Sequence, residues 1–203
     1  MTAGTAAIWP VAGVVLPAGG STRMGRPKQL LAIDGEPLVR RVTRQVVGAC
    51  APVHVVVGAA RDAVAAALAD LPVTLVDNPA WADGLGGSVA RGVAAAFADP
   101  AVDAVLLTVG DLPRLLAAHL RAMVAGFRRS GAAALASCHE RSVGVPAIFH
   151  RRVGGALLAL RGPIGARAVL AGLGAEVVPF ELPEAALDVD GPADWARAGL
   201  APP

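Results

Sequence analysis

There is no tyrosine in the 203 residues, and aromatic side chains amount to 3 %. A core of this composition has to rest on Val, Leu and Ala, with Ala-rich helices. Such packing suits a parallel sheet covered by helices on both faces. Cysteine is as scarce. Cys50 and Cys138 are the only two, and they lack the spacing of a zinc site or a disulfide framework. Both are expected as reduced core residues of a cytoplasmic protein. Net charge is nearly absent. A formal +2 is too small to draw nucleic acid or a membrane surface, so neither partner is expected. No long apolar run survives inspection either. Met1 to Thr22 carries no charge, but it lacks a basic start, and Pro10, Pro17 and several glycines interrupt it. It reads as a strand followed by a loop, not as a signal peptide or membrane span.

What is present is an alternation of short apolar runs with helical patterns. Val11–Leu16, Val53–Val57, Val73–Val76 and Ala104–Thr108 read as strands. Leu38, Val42 and Val46 share one helix face after Pro37, and Leu116, Leu120, Met123 and Phe127 do so after Pro113. Beyond Ala132–Ala136 the rhythm changes. Gly144–Phe149 is a short strand, Arg151–Leu160 and Ile164–Gly172 are helical, Glu176–Phe180 is a last strand, and Asp194–Arg197 sits in a final helix that Pro192 can start. Alternation of this kind implies parallel strands with crossovers. The length fits one domain over residues 1–203. In an open α/β sheet, ligands bind at the carboxyl ends of the strands, where most of the chemistry-bearing residues fall.

The first of these segments is Leu16-Pro-Ala-Gly-Gly-Ser-Thr-Arg-Met-Gly-Arg-Pro-Lys28. Gly19, Gly20 and Gly25 allow backbone N–H groups to turn inward around phosphates. Arg23 can fork across two phosphate oxygens, and Lys28 adds a compact positive charge. Arg23, Arg26 and Lys28 all precede the first acidic residue, Asp34. Neither a Walker A loop nor a dinucleotide fingerprint is present. The segment resembles the signature loop of the nucleotidyltransferases that include molybdenum cofactor cytidylyltransferase and guanylyltransferase (MobA- and MocA-like NTP transferases). Their loops read Leu-x-Ala-Gly or Leu-x-Gly-Gly, then Ser-x-Arg-Met-Gly, then Pro-Lys or Asp-Lys.

Other segments extend the resemblance from about Val14 to Trp195. Asn78-Pro-Ala-Trp-Ala-Asp-Gly84 with Ser88 is similar to the family's Asn-Pro-x-Trp-x-x-Gly-x-x-x-Ser. Gly84, Gly86 and Gly87 would leave room for a base that Ser88 could hydrogen-bond; on residues alone, the segment is a turn with Ser88 near a helix start. Gly110-Asp111-Leu112-Pro113 resembles Gly-Asp-x-Pro, whose Asp binds Mg²⁺. Read without the family, Asp111 either holds a hard cation or starts the next helix. Asp188-Val-Asp190-Gly-Pro-Ala-Asp194 resembles Asp-Ile-Asp-Thr-Pro-Glu-Asp, which implies Asp190 as the other metal ligand and leaves Asp188 and Asp194 as helix caps. Gly191 and Ala193 depart from that pattern. Gly165-Ala-Arg167 is similar to Gly-Ala-Arg, although Pro163 stands where the family has Asp. Arg167 is then a phosphate ligand or a solvated helix residue. Of the histidines, His54 lies in an apolar strand and reads as a satisfied buried residue, while His139 and His150 are near the acceptor segment.

The resemblance implies a three-layer α/β/α sandwich with a Rossmann-like, mostly parallel sheet of the nucleotide-diphospho-sugar transferase type. It implies Mg²⁺-dependent transfer of a nucleoside monophosphate from CTP or GTP to a phosphorylated acceptor such as molybdopterin-bound molybdenum. Catalytic roles would fall to Lys28, Arg23 and Asp111, nucleotide binding to Ala18, Gly19, Gly20, Ser21, Gly25, Gly84 and Ser88, and metal binding to Asp111 and Asp190. Ala18, before the first loop glycine, goes with CTP in this superfamily. The alternatives are a sugar- or alcohol-phosphate acceptor, or a non-catalytic nucleotide-binding accessory with a molybdenum enzyme as partner. Lys28 is expected on a polar loop outside the core, so that replacing it spares the fold. Removing one aspartate charge is likewise expected to cost activity and not stability.

Overall fold

The computed structural model describes residues 10–17, 27–139 and 142–187. In chain order the strands are β1 (Val11–Leu16), β2 (Ala32–Ile33), β3 (Glu36–Pro37), β4 (Val53–Val57), β5 (Thr74–Asp77), β6 (Ala104–Val109), β7 (Ala134–His139), β8 (Ser142–His150) and β9 (Val177–Glu181). The helices are α1 (Leu38–Val47), α2 (Arg61–Leu68), α3 (Leu85–Phe97), α4 (Ala117–Ser130), α5 (Gly154–Leu158) and α6 (Ala166–Leu173). Seven strands form one sheet in the order β5-β4-β1-β6-β8-β7-β9, and β2 and β3 form a small hairpin. Only β8 runs against the others, pairing antiparallel with β6 and β7. Among the described residues, no helix is long and apolar enough to cross a membrane.

The period of two along each strand divides the core into two layers. Val11 and Val15 of β1 and Leu106 of β6 face one layer, filled by Leu38, Val42 and Val46 of α1 and by Leu120, Met123 and Phe127 of α4. Ala12, Val14 and Leu16 face the other with Val105 and Leu107, against Val89 and Val93 of α3 and Val169 and Leu170 of α6. The result is a three-layer α/β/α sandwich around a mostly parallel sheet. All six residues of β1 are buried, as a central strand covered on both faces requires. Gly92 brings α3 close to that strand: a Cβ there would lie 2.5 Å from Val14 Cγ1 and 2.8 Å from Val56 Cγ2.

Several expectations shift. The stretch 151–160 is a 3-10 turn, Arg151–Val153, followed by the short α5. Gly154 and Gly155 lower helix propensity there. The segment 144–149 belongs to the longer β8. Helix α6 begins at Ala166, after Pro163 and Gly165. His54 is buried as expected, but neither ring nitrogen has a hydrogen-bond partner among the described residues. Its strand neighbours satisfy only the backbone, and burial holds the imidazole below its usual pKa of 6.5. Cys50 is buried, and burial pushes its thiol up to about 12. Cys138, near the end of β7, is only half-buried. The final helix at 194–197 lies outside the described residues.

Candidate active site

Strand β1 pairs with β4 on one side and β6 on the other, and all three run parallel. The chain leaves β1 towards β4 and leaves β6 towards β7 and β8. A crevice therefore opens between their carboxyl ends, where α/β sheets bind ligands. The pairing continues past the strands: Gly110 N–H donates to the Leu16 carbonyl at 2.9 Å. A Cβ at Gly110 would be 3.1 Å from Pro17 Cα, so the absence of a side chain keeps the two loops this close.

These loops bring Lys28 and Asp111 together. Lys28 Nζ lies 2.6 Å from Asp111 Oδ2. Lys28 is 6 % and Asp111 5 % exposed. The expectation of a lysine on a polar loop outside the core is thereby corrected. The turn Lys28–Leu30 leads into Leu31 and Ile33, which are buried in the α1 layer, and this apolar anchor draws the lysine inward. Removing either charge would take a close ion partner from a buried group, so a cost in stability is now predicted for such variants. Asp111 does not start a helix, because α4 begins at Ala117 and Leu116 is its N-cap.

Two cavities lie nearby, one lined by Gln29, the neighbour of Lys28 in sequence, and the other by Asp111. The first, about 270 Å³, is lined by Gln29, Gly58, Ala60, Trp81, Gly84 and Ser88 among others, and none of the described residues in its wall is charged. Gln29 is 4 % exposed, and its Oε1 has no hydrogen-bond partner among the described residues. Ser88, on α3, accepts a bond from Asn78 Nδ2 at 2.9 Å. The second cavity, about 420 Å³, is lined by Thr108, Asp111, His139, Gly144, Gly165 and Arg167 among others. Arg167 is exposed, and its guanidinium lies over Gly144, where an added Cβ would be 3.4 Å away. Leu16 and Leu85 line both cavities. His150 stands apart from both: its ring accepts from Arg152 N–H at 3.1 Å.

The space that Gly84 and Gly86 were expected to leave for a base is filled by protein. Gly84 has φ +125°, and a Cβ there would be 2.4 Å from the Gly162 carbonyl oxygen. A Cβ at Gly86 would meet Ile164 O at 2.6 Å, and Gly86 N–H donates to Gly162 O at 2.9 Å. The turn containing Pro163 thus locks onto the start of α3. Gly87 alone of the three has no close neighbour, with Asn78 Nδ2 3.9 Å from an added Cβ.

The structure thus brings Lys28, Asp111, Gly84 and Ser88 to one crevice. Ala18, Gly19, Gly20, Ser21, Arg23, Gly25 and Asp190 lie outside the described residues. The motif reading passed over Gln29 and Leu85. The apolar run Gln-Leu-Leu-Ala-Ile after Lys28 was the available signal for the first, whereas Leu85 declares itself only through the 162–165 turn. Asp111 fits a divalent cation. It is a carboxylate that lines the second cavity, and Mg²⁺ ordinarily takes one or two carboxylates together with substrate phosphates and water.

The sequence profile described as the MobA-like NTP transferase domain matches residues 13–177. The chain belongs to this family. Among MobA-like relatives, it is 39 % identical over 116 residues to nicotine blue oxidoreductase of Paenarthrobacter nicotinovorans, covering 54 % of this chain and 57 % of that protein. It is 30 % identical to the Rv0371c homologue of Mycobacterium sp. strain JC1, with 93 % of this chain and 94 % of the other covered and a TM-score of 0.75. Rv0371c of Mycobacterium tuberculosis H37Rv gives 26 % identity, 93 % and 97 % coverage and a TM-score of 0.77, and it has been crystallised in complex with manganese. An oxidoreductase among the relatives means that the MobA-like fold does not by itself assign the chemistry; the site has to.

Proposed function

We propose that the chain is a divalent-metal-dependent nucleotidyltransferase that moves CMP from CTP onto a phosphorylated acceptor of the molybdopterin type. The observation that carries this reading is the buried Lys28–Asp111 pair, whose aspartate lines a cavity shared with Arg167, next to a second cavity with no charged side chain among its described residues. A nucleobase is planar and uncharged, and the first cavity suits it. An anionic acceptor suits the second, where Arg167 can meet a phosphate. The α-phosphate then lies between them, beside Lys28.

An acceptor phosphate oxygen attacks the α-phosphorus. The bond from that phosphorus to the bridging oxygen breaks, and its electron pair leaves with pyrophosphate. The attacking phosphate is already anionic at neutral pH, so no general base is required. Catalysis rests on positioning and charge neutralisation. Lys28 would balance charge on the α-phosphate, while Arg23 and the amides of Ala18, Gly19, Gly20, Ser21 and Gly25 would hold the β- and γ-phosphates. Asp111 and Asp190 would hold Mg²⁺, which when bound supplies further positive charge to the phosphates. The functional unit is one domain over residues 1–203, working in the cytoplasm, with a molybdenum enzyme as the recipient of its product.

The test is pyrophosphate release from CTP, GTP, ATP and UTP, with and without Mg²⁺ and molybdenum cofactor. CTP with cofactor and metal is expected to turn over fastest. Faster turnover with GTP would refute the base assignment drawn from Ala18, and turnover only with a sugar phosphate would replace the acceptor. Absence of turnover under all conditions would leave the nucleotide-binding accessory as the surviving reading.

A further inference from the structure

Two leucines, and no polar group, are common to the walls of both cavities among the described residues: Leu16 at the end of β1 and Leu85 at the start of α3. Leu16 is 3 % exposed and belongs to the core, whereas Leu85 is 40 % exposed. A lone exposed leucine is ordinary on a protein surface. This one is held in place. Its neighbours Gly84 and Gly86 both pack against the 162–164 turn, which fixes the backbone on either side of it. Its side chain reaches across to the residue before α6, where a Cβ at Gly165 would be 2.9 Å from Leu85 Cδ2. From Leu85 the first wall continues along α3 to Ser88, and from Gly165 the second continues to Ala166 and Arg167. Leu85 thus bridges the two walls at the junction of the cavities.

We propose that Leu85 sets the choice of nucleophile, by closing this junction against water when nucleotide and acceptor are both seated. This rests on the reading that the base takes one cavity and the acceptor the other, which puts the α-phosphorus where the two meet. Water is the competing nucleophile there. Its oxygen would attack the α-phosphorus, and the bond to the bridging oxygen would break, its electron pair leaving with pyrophosphate. The water proton would pass to solvent, and the nucleotide would be lost as CMP. An ordered water needs about two to four polar partners, and a leucine side chain offers none. Excluding water in this way suppresses hydrolysis without any group having to activate the acceptor.

The test measures how product divides, on the full chain with Mg²⁺, CTP labelled in its α-phosphate and saturating molybdenum cofactor. Free CMP and cytidylylated cofactor are quantified from one reaction in water enriched in heavy oxygen. The proteins are wild type, Leu85→Ala, Leu85→Asn and Leu85→Met. Both products come from the same folded molecules, so their ratio does not depend on how much of a variant folds. Leu85→Ala should raise CMP relative to transfer at least about tenfold, with heavy oxygen in the CMP phosphate as the mark of water attack at phosphorus. Leu85→Asn keeps nearly the same volume but gives a water polar partners, and it should raise the ratio too. Leu85→Met keeps an apolar filler and should stay within about threefold of wild type. An unchanged ratio in Leu85→Ala overturns the proposal, even where both products fall together, because Leu85 would then serve packing or nucleotide affinity alone. Should Leu85→Ala not fold, an unchanged ratio in Leu85→Asn has the same force. A Leu85→Met ratio as high as that of the other variants also overturns it. In all these cases wild type still transfers, and the functional reading stands. Wild type that transfers nothing to the cofactor overturns that reading, and the proposal with it.

Discussion

The Lys28–Asp111 pair makes a sharp prediction about stability in the absence of any ligand. At 2.6 Å and an effective dielectric of about 20, two unit charges attract by about 6 kcal/mol. Desolvation of both groups offsets much of this, so the net value of the intact pair is small. Removing one partner is different, because it takes the ion partner at 2.6 Å from a buried charge, and loss of a buried partner typically costs about 3–5 kcal/mol. Lys28→Met and Asp111→Asn are near-isosteric and should each show that loss. For a chain of this size it corresponds to a fall in Tm of about 6–20 °C. The Lys28→Met/Asp111→Asn double variant removes both charges of the pair and should be more stable than the sum of the single losses predicts. Thermal unfolding in EDTA without nucleotide measures all three. Because both groups are buried, the losses should persist at high salt, where a surface pair would be screened. Single variants within 1 °C of wild type, by an order-of-magnitude allowance for surface sites, would refute the pairing.

Gly84→Ala places a side chain at φ +125° against the Gly162 carbonyl. It should cost at least about 2 kcal/mol in urea unfolding, and an unchanged midpoint would refute the packing of the 162–164 turn on α3. His54 is held neutral by burial, whereas the unfolded chain takes up a proton below about pH 6.5. The native state therefore binds fewer protons, and stability should fall as pH drops from about 6.5 towards the lowered native value. His54→Leu should flatten that part of the Tm–pH profile, and an unchanged slope would assign it to other groups. Arg167→Gln should raise the acceptor KM about tenfold while leaving the CTP KM unchanged; a matched rise in both would take Arg167 out of the acceptor cavity.

Much of the sheet could be read from the sequence because its strands are short Val-, Ala- and Leu-rich runs bounded by Gly, Pro or Asp. The β1, β4 and β6 segments needed only that pattern. Strand β8 extends beyond the expected Gly144–Phe149 to Ser142–His150, because the polar Ser142 and His150 at its ends break the apolar pattern, while Pro146 inside it is tolerated. Proline lacks the N–H a central ladder needs, but pairing with β6 ends at Ala147, so Pro146 lies beyond it. The motif residues Lys28 and Asp111 were legible as chemistry and not as structure. Their spacing says nothing of the 2.6 Å between them, and the charges of the loop hid the apolar run that buries Lys28. The glycines at 84 and 86 show the same limit. A glycine signals close approach by something, and only the tertiary fold reveals that here it is the 162–164 turn.

The contrast between the two cavities follows from strand direction. A parallel strand meets the crevice with its carboxyl end and the loop beyond it. On the β4 side that loop is Gly58, Ala59 and Ala60, small and uncharged, and none of the described residues in that wall carries a charge. On the other side β8 runs in reverse and meets the crevice with its beginning. Its pairing with β6 stops at Leu107 and Ala147, while its first residues continue alongside β7, with Gly144 opposite Ser137 and Ser142 opposite His139. That overhang extends the sheet past the end of β6. It sets His139 and Gly144 into the second wall, where the Arg167 guanidinium from α6 comes into ordinary contact distance of Gly144. One reversed strand thus distinguishes the two slots beside the lysine–aspartate pair. A transfer that joins an uncharged base and an anionic acceptor through one phosphate needs that asymmetry.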